Sequence, residues 1–384
     1  MSASICSDKV RNMEKTAPPL TGLKVVELAR VLAGPWIGQA LSDLGAEVTK
    51  VESPEGDDTR QWGPPFIERD GDKSAAYFYS TNRGKTSVIA DFRTPEGQKT
   101  VRDLVADADI LIENFKVGGL EKYGLDYDSL SALNPRLVYC SITGFGQDGP
   151  YAKRAGYDFL IQGMSGLMSI NGEVGREPQK FGIAVTDIVS GLYGTIGILA
   201  AIEKRHQTGR GERIDISLLD CATALLANQA MNYLASGEVP GQMGNAHLNL
   251  TPYQVFPTND GHIIIAVGNA GQFGRLCKVL GLEDTANDPK FVTNEDRIAN
   301  RAELTSTLGA KIGAWSMTDL LVALEAATVP AGPINRIDQV FEDPQVKARK
   351  LQIAPQGIPG VRGPWRFSES RLSLDRAAPI LPKA

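Results

Sequence analysis

Residues 23–52 read LKVVELARVLAGPWIGQALSDLGAEVTKVE. The apolar, β-branched run LKVVEL (23–28) is typical of a buried strand, and EVTKVE (47–52) is typical of a second one. Between them, IGQALSDLGA (37–46) carries its apolar residues at helical spacing. Strand, helix and strand in this order predict a βαβ unit, in which the two strands lie parallel in one sheet.

The same alternation continues along the chain. Further strands are predicted at TSVIADF (86–92), DILIENF (109–115) and LVYCSIT (137–143). The helix after the first of these has a clear start, with Thr94 as N-cap and Pro95 in the first turn. The predicted fold class is therefore α/β, with a parallel sheet covered by helices on both faces.

Beyond the sheet the pattern changes. A long helix is predicted from about 187 to 207, and another runs to Ala235. YQVFPTNDGHIIIAV then predicts a hairpin whose turn is Asn259-Asp260-Gly261, followed by polar helices. This change of texture indicates a second, smaller domain.

Composition limits the function classes. The 384 residues carry a formal charge of −5, which argues against a nucleic-acid surface because such a surface needs clustered Lys and Arg. The four cysteines, Cys6, Cys140, Cys221 and Cys277, form no CxxC pair, so neither a disulfide framework nor a zinc site is predicted. A charged N-terminus without an apolar run and an apolar stretch (188–202) that is too short for a bilayer favour a cytoplasmic protein without a membrane segment.

The chemistry is predicted to rest on carboxylates. The chain has three histidines and neither an HExxH nor a GxSxG motif, so few residues are available for a histidine-based metal site or catalytic triad. We therefore predict no metal site.

Asp187 is the first candidate, because it follows an apolar run and opens the long helix. Free N–H groups and the macrodipole at a helix N-terminus stabilise an ionised carboxylate, which is the form that attacks as a nucleophile. The alternative is an ordinary N-cap with no further role.

Two other features are compatible with a site. Asp158 also starts a helix, and again N-capping is the alternative. The loop GNAHLN (244–249) has the small and polar residues of a loop that covers a pocket, although most such loops are connectors.

Taken together, the motifs resemble the family III CoA-transferases (the formyl-CoA transferase and L-carnitine CoA-transferase family) and their racemase relatives. The resemblance runs in order from about residue 19 to 382. It is carried by LTGLKVVELARVLAGP (20–35), DLGAEVTKVE (43–52), GDDTR (56–60), NRGKTS (82–87), ENF (113–115), SITGFGQDGP (141–150), AGYD (155–158) and TGRGERIDISLLD (208–220).

The resemblance implies an interlocked homodimer of two-domain chains. In each chain a Rossmann-like large domain is built from both chain ends, here 19–224 with 330–384. A smaller α+β domain, here 225–329, lies between them, and residues 1–18 form an N-terminal extension.

The resemblance also implies the reaction. The family's catalytic aspartate falls on Asp187 and its supporting acidic residue on Asp158. Asp187 would attack an acyl-CoA thioester, giving an aspartyl anhydride and then an aspartyl-CoA thioester. Coenzyme A thioesters are then the substrates, and no tightly bound cofactor is expected.

The positions that match the family's CoA contacts follow several of the predicted strands. Phe115 could stack on the adenine, and Arg93 and Lys122 could pair with phosphates. The formyl-CoA transferases have arginine at the positions of Ser53 and Lys122, so Arg60 and Lys116 are alternative cations here. The full set is Leu32, Ala33, Ser53, Ala90 to Arg93, Asn114, Phe115, Lys116, Lys122 and Ala155.

Within the family, WGPPF (62–66), PYQ (252–254) and GPIN (332–335) most resemble the succinyl-CoA:glutarate type. This implies CoA transfer from succinyl-CoA to a small dicarboxylate such as glutarate, malate, itaconate, mesaconate or a substituted succinate. The matching loop of Gly244, Asn245, His247 and Asn249 would close over the site. The acceptor's distal carboxylate is predicted to meet Arg30, Arg154, His247 or Asn249.

Two other functions stay open. The α-methylacyl-CoA racemases have a histidine where this chain has Tyr157, and a tyrosine, with an ordinary pKa of about 10, is a poor base near neutral pH. A CoA-binding paralogue without turnover is the other alternative.

Overall fold

A computed structural model describes residues 16–382, so most of the predicted extension 1–18 lies outside the described residues. In chain order the strands are β1 (Lys24–Glu27), β2 (Glu47–Glu52), β3 (Phe66–Arg69), β4 (Asp72–Ala75), β5 (Thr86–Ile89), β6 (Ile110–Glu113), β7 (Val138–Thr143), β8 (Arg213–Ser217), β9 (Tyr253–Pro257), β10 (His262–Ala266), β11 (Ala331–Pro333), β12 (Gln352–Ile353) and β13 (Gly360–Val361).

The α-helices alternate with these strands in the first half of the chain and dominate the second. They are α1 (Ala33–Asp43), α2 (Ala76–Thr81), α3 (Pro95–Ala106), α4 (Tyr127–Leu133), α5 (Asp158–Met164), α6 (Leu167–Ile170), α7 (Val185–Thr208), α8 (Leu218–Leu225), α9 (Ala227–Ser236), α10 (Ala270–Val279), α11 (Glu283–Asn287), α12 (Asn294–Ala299), α13 (Arg301–Ile312), α14 (Met317–Ala326), α15 (Ile337–Glu342) and α16 (Pro344–Ala348).

Six strands form one parallel sheet in the order β5-β2-β1-β6-β7-β8. The chain builds outward from β1 to β5 and then returns to place β6 on the other side of β1. This is the doubly wound strand order, in which ligands bind beyond the carboxyl ends of the strands where the order reverses. The predicted α/β class with a parallel sheet is confirmed.

The chain divides into two compact units, and the second takes up residues 166–180 and 231–345. Its boundaries differ from the predicted 225–329 for two reasons. The segment 331–333 is strand β11, which pairs with β10. Residues near 172 belong with the second unit because Gly172 O accepts a hydrogen bond from Gly244 N at 3.0 Å. The predicted hairpin is confirmed as β9 and β10.

The first unit takes up the rest of the described chain, including the segment from 346 onward. Hydrogen bonds connect this C-terminal segment to residues in the N-terminal part of the first unit. Arg83 donates to Val361 O at 2.9 Å, Arg60 donates to Pro379 O at 3.3 Å, and Asp43 O accepts from Ser373 N at 2.8 Å.

Helix α7 packs on α1 through glycines. A methyl group at Gly191 would lie 2.9 Å from the Trp36 ring and 3.1 Å from Ala33 O, and one at Gly194 would lie 2.5 Å from Ile37. These distances are shorter than van der Waals contact, so the close approach of the two helices requires glycine. The contacts advance in the same sense along both helices, which places their N-termini side by side.

A buried network of charges lies under the start of α1. Lys50 is 1% exposed and contacts Glu27 at 3.1 Å and Asp57 at 2.8 Å. Lys85, also buried, contacts Glu27 at 2.8 Å and Asn82 at 2.8 Å. Burial lowers the pKa of Lys85 to about 8, and the neighbouring charge of Lys50 adds to the effect. Buried charges of this kind are tolerated only as a fully paired set.

Helix α7 is long and apolar enough, by length and composition, to cross a membrane, with a mean hydropathy of 1.6 over its most apolar window. It is longer than the apolar stretch that the sequence indicated. A core helix meets the same criterion. α7 contacts α1, α8, β7 and β8, and its Arg205 is buried and paired with Asp109 at 2.8 Å. We interpret it as a core helix of the first unit.

Two local predictions need correction. The long helix predicted to end near Ala235 is two helices, α8 and α9, because Ala227 has a φ of +45° that ends the regular helix. The hairpin of β3 and β4 was not predicted, although its turn, Asp70-Gly71, is a common hairpin signal.

Candidate active site

Asp187 is the third residue of α7, whose N-cap is Ala184. The N-cap alternative for Asp187 is therefore wrong. Asp187 stands one turn before Gly191 on the same helix face, and Gly191 contacts Ala33, the first residue of α1. The half-buried carboxyl group consequently lies beside the N-terminus of α1.

Asp158 fixes this end of α7 from a different helix. Its Oδ1 accepts hydrogen bonds from the Thr186 backbone N–H at 2.9 Å and from the Thr186 hydroxyl at 2.8 Å. Its Oδ2 accepts from Gln162 Nε2 at 2.8 Å, and Gln162 Oε1 in turn accepts from Phe181 N at 2.9 Å. Asp158 is the first residue of α5, whose N-cap is Tyr157, and its side chain caps α7 instead, so the alternative that Asp158 is the N-cap of its own helix is wrong.

Close contact between two glycines fixes the position of the segment before Asp158. A methyl group at Gly156 would lie 2.5 Å from the Gly144 Cα, so the two backbones touch. Gly144 follows β7 directly, and this contact anchors the AGYD segment to the carboxyl end of the sheet. The glycines of the TGFG and AGYD motifs are therefore needed to bring Asp158 to α7.

The charge state of Asp187 differs from the expectation. Burial, and to a smaller extent the negative charge of Asp158, raise the pKa of the Asp187 carboxyl to about 7. The helix N-terminus, on which the expected ionised form was based, favours the anion by about 0.3–1 kcal/mol when exposed. Here the loss of hydration outweighs that stabilisation.

The variant Asp158→Asn should shift the pH dependence of the reaction. Asn keeps an oxygen that can accept from Thr186 but removes the charge, so the pKa of Asp187 should fall. The predicted nucleophilic role of Asp187 requires the ionised form, so the acidic limb of kcat/KM should move to lower pH by roughly one unit. The measurement is kcat/KM between pH 5 and 9. The exposed Asp148→Asn is the control with the same change of charge, and an unmoved limb in Asp158→Asn would contradict the assignment.

Arg30 and Asn114 connect the segments that follow β1 and β6, the neighbouring strands between which the strand order of the sheet reverses. Asn114 Oδ1 accepts from Arg30 N at 2.9 Å, and Asn114 Nδ2 donates to Arg30 O at 2.7 Å. These residues follow β1 and β6, so the predicted CoA residue Asn114 does lie at the position where doubly wound sheets bind ligands. The Arg30 side chain pairs with Asp58 at 2.9 Å.

An aromatic cluster adjoins this point. Phe115 packs edge to face on Phe92 at 5.5 Å, and Phe92 packs on Tyr123 at 5.4 Å. Arg30 lies 5.6 Å from the Phe115 ring and Lys122 lies 4.7 Å from the Tyr123 ring. Aromatic faces beside cations suit an adenine nucleotide. Tyr123 was not among the predicted residues, although it adjoins Lys122.

The other residues predicted to contact CoA differ in their burial and in the groups that they can present to a ligand. Leu32, Ala33 and Ala90 are buried, so backbone groups are their available contacts. The Ser53 hydroxyl donates to Gly56 O at 3.3 Å. Lys116 and Ala155 are exposed, and so is Arg93, which pairs with Asp91 at 2.8 Å.

Arg60 as an alternative phosphate-binding cation is wrong. Its side chain is 2% exposed, pairs with Glu52 at 2.7 Å and lies 3.7 Å from the Phe78 ring centroid. It is a structural residue of the first unit, because its charge is already neutralised in the core.

A cavity of about 260 Å³ opens beside the aromatic cluster, and Phe115, Lys116 and Arg213 are among its lining residues. Neither Asp187 nor Asp158 lines it. The cavity therefore adjoins the predicted CoA positions rather than the carboxylate pair.

The remaining predicted residues lie in two places. Arg154 contacts the Tyr151 ring at 4.5 Å, and Tyr157 is 71% exposed. The loop 244–249 belongs to the second unit, where His247 Nδ1 accepts from Asn249 N at 3.0 Å. Gly244 has a φ of +58° and Asn245 is exposed. The closure of this loop over Asp187 stays a prediction.

Comparisons with known proteins agree with one another. A sequence profile of CoA-transferase family III matches residues 20–383. The chain is 55% identical over 378 residues to the succinate–glutarate CoA-transferase of Agrobacterium fabrum, covering 96% of this chain and 94% of that protein. It is 40% identical over 369 residues to the succinyl-CoA:glutarate CoA-transferase of Homo sapiens, covering 94% and 83%.

Among solved structures, the chain resembles a CAIB/BAIF family protein from Brucella suis. The TM-score is 0.87 at 60% identity, covering 96% of this chain and 97% of the other. The likeness therefore extends over both units and not only over the parallel sheet.

Proposed function

The chain belongs to CoA-transferase family III, and we propose that it moves CoA from succinyl-CoA to glutarate through covalent intermediates on Asp187. The observation that carries the proposal is the half-buried Asp187 carboxyl at the start of α7, beside the N-terminus of α1 and fixed by Asp158 through Thr186. The two named relatives supply the substrates, since both names specify glutarate.

In the first step the ionised Asp187 attacks the thioester carbon of succinyl-CoA. A C–O bond forms, the C–S bond breaks, and CoA leaves as the thiolate with its electron pair. The product is a mixed anhydride between Asp187 and succinate. Burial makes this carboxylate poorly hydrated and therefore a stronger nucleophile than a carboxylate in water.

In the second step the CoA thiolate attacks the Asp187 carbonyl carbon and releases succinate. The resulting aspartyl-CoA thioester is attacked by glutarate, and the same steps in reverse release glutaryl-CoA. Each intermediate is an activated acyl group, so the energy of the thioester is conserved and no ATP is needed.

The N-terminus of α1 can stabilise the carbonyl oxygen that gains negative charge in each step. Its N-cap, Leu32, makes no side-chain hydrogen bond to the helix. The first-turn N–H groups of Ala33 and Gly34 therefore have no intrahelical acceptor and can donate to an oxyanion beside Asp187.

The test is mass spectrometry of the protein incubated with succinyl-CoA and a panel of unlabelled mono- and dicarboxylic acids. We expect glutaryl-CoA to form faster than any other new thioester. A parallel incubation of a branched acyl-CoA in D₂O tests the racemase alternative. Deuterium at the α-carbon without any exchanged thioester would overturn the proposal, and binding of CoA without either product would favour a non-catalytic paralogue.

We also propose that the chain acts as a homodimer, interlocked as in the family it resembles. Leu192, Tyr193, Ile196 and Leu199 form an apolar row on the exposed face of α7, which a second chain would remove from water. Sedimentation should give twice the chain mass, and a monomer at micromolar concentration would refute this. Cytoplasmic residence stays a prediction.

A further inference from the structure

Glu113, the last residue of β6, is a buried carboxyl group that forms no ion pair within residues 16–382. It is 5% exposed. Its Oε1 accepts a hydrogen bond from the Ser141 hydroxyl on β7, and its Oε2 accepts one from the Phe115 backbone N–H at 2.8 Å. Burial raises the pKa of this carboxyl group. A carboxyl group that is buried without a cation costs stability, which points to a role in function rather than in folding.

The hydrogen bond from Phe115 to Glu113 determines the path of the chain beyond β6. It joins a side chain to a backbone N–H two residues later and so closes a turn around Asn114. Asn114 in turn bonds to the backbone of Arg30 at 2.9 and 2.7 Å, and the Phe115 ring packs edge to face on Phe92. The turn 113–115 is therefore fixed to the core by Glu113 and to the segment after β1 by Asn114.

This turn lies where a ligand is expected. It follows β6, beside the point at which the strand order reverses, and ligands of doubly wound sheets bind at that point. The cavity of about 260 Å³ has Glu113, Phe115 and Lys116 among its lining residues. Because Glu113 is almost completely buried, it can act on a ligand through its neighbours rather than by direct contact.

We propose that Glu113 is a positioning residue for the CoA part of the substrate. Its hydrogen bonds to Ser141 and Phe115 hold the Asn114 amide and the Phe115 ring in their CoA-binding arrangement before the ligand arrives. This inference rests on the proposed function. A preformed arrangement reduces the ordering that binding requires. Loss of the hydrogen bonds should therefore weaken the binding of CoA and of acyl-CoA alike, without changing the chemistry at Asp187.

The test is titration calorimetry with free CoA, together with the kinetics of transfer from succinyl-CoA. In Glu113→Met the side chain keeps a similar length but has no oxygen, so the Phe115 N–H loses its acceptor. We expect the Kd for CoA and the KM for succinyl-CoA to rise about tenfold. The kcat should stay within about threefold of wild type, because binding is lost equally in the ground state and the transition state.

Glu113→Gln should restore binding. The Gln oxygen can accept from the Phe115 N–H, and the Gln amide group can donate to the Ser141 hydroxyl, which is able to accept as well as donate. The Kd for CoA should therefore stay within about threefold of wild type. This variant separates the hydrogen bonds of Glu113 from its charge.

Asn134→Leu is the matched control for a general loosening of the sheet. Asn134 precedes β7 and donates to Val105 O at 2.9 Å and to Ala108 O at 2.8 Å, just before β6 begins. It thus joins the flanks of the same two strands at their opposite ends. Its loss should lower the melting temperature and leave the Kd for CoA unchanged.

A Kd for CoA within about threefold of wild type in Glu113→Met would overturn the inference and leave the proposed function intact. Equal weakening in Glu113→Gln or in Asn134→Leu would overturn it as well. If Glu113→Met does not fold, Ser141→Ala replaces it, since it removes the bond to β7; its Kd should rise at least about threefold, and an unchanged Kd has the same meaning. A wild-type protein that binds no CoA would overturn both the inference and the proposed function.

Discussion

Asp187→Asn should abolish CoA transfer and at the same time stabilise the folded protein above pH 7. Asn cannot attack a thioester, so kcat should fall by about 10⁴-fold or more, as for the loss of other covalent nucleophiles. The stability effect follows from the raised pKa. The Asp187 carboxyl has a pKa of about 7 in the folded chain against an ordinary value of 3.8.

The direction of this change in stability with pH follows from the number of protons bound in the folded and unfolded states. Between these two values the folded state holds a proton that the unfolded state has lost, so stability falls as pH rises from about 4 to 7. Complete titration would cost about 4 kcal/mol. Since the group is only half-buried, we expect about 2 kcal/mol. Asn carries no such penalty. Since more than a third of the penalty is already present at pH 5, the variant should gain about 1 kcal/mol at pH 8 relative to pH 5.

The measurement is chemical denaturation of both proteins at pH 5 and pH 8, with transfer assayed on the same samples. Asp148→Asn, at an exposed site, should change neither quantity. Equal stability of Asp187→Asn and wild type at both pH values would show that Asp187 is ionised without cost. Transfer at more than a hundredth of the wild-type rate would remove Asp187 from the mechanism.

Lys50→Met should be the most destabilising single change in the first unit. Lys50 is the cation that Glu27 and Asp57 share, and it also donates to Ala29 O at 2.9 Å. Although burial alone would raise it, Lys50 holds the pKa of Asp57 at about 2. Without Lys50 two carboxylates remain in the core with too few partners, which costs about 3–5 kcal/mol.

The loss should appear as a lower denaturation midpoint at pH 7. Lys99→Met is the control, because Lys99 pairs with Asp103 at 2.6 Å on the exposed face of α3 and such pairs contribute about 0.3–0.5 kcal/mol. Activity should fall as well, since Asp57 holds Val31. A difference between the two variants below about 1 kcal/mol would mean that the network does not depend on this lysine.

Much of the first unit could be predicted because its signals are local. EVTKVE forms β2 with the predicted bounds, and Thr94 caps α3 by accepting from Gly97 N at 3.1 Å. Alternation of apolar residues and capping chemistry are readable within a few residues of sequence. Asp187 and Asp158 were first predicted from their positions at helix starts and were then matched by motif resemblance, and the structure places Asp158 and Thr186 in direct contact.

What could not be predicted depends on distant residues. Capping of α7 by Asp158 joins positions that are 28 residues apart, and the raised pKa of Asp187 depends on burial that the sequence does not display. Arg60 was misjudged for the same reason, since its partner Glu52 was read only as part of a strand.

The return of the last segment to the first unit sets the order of events during synthesis. Arg60 and Arg83 donate hydrogen bonds to the carbonyl groups of Pro379 and Val361, which are synthesised much later than the two arginines. At 5–20 residues per second, translation of a chain of this length takes on the order of 20 to 80 seconds. The second unit ends at residue 345, so it has all its residues before the first unit receives the segment from 346 onward. A premature stop after residue 345 would therefore spare the second unit and leave the first one unfinished, as a substrate for chaperones and proteases.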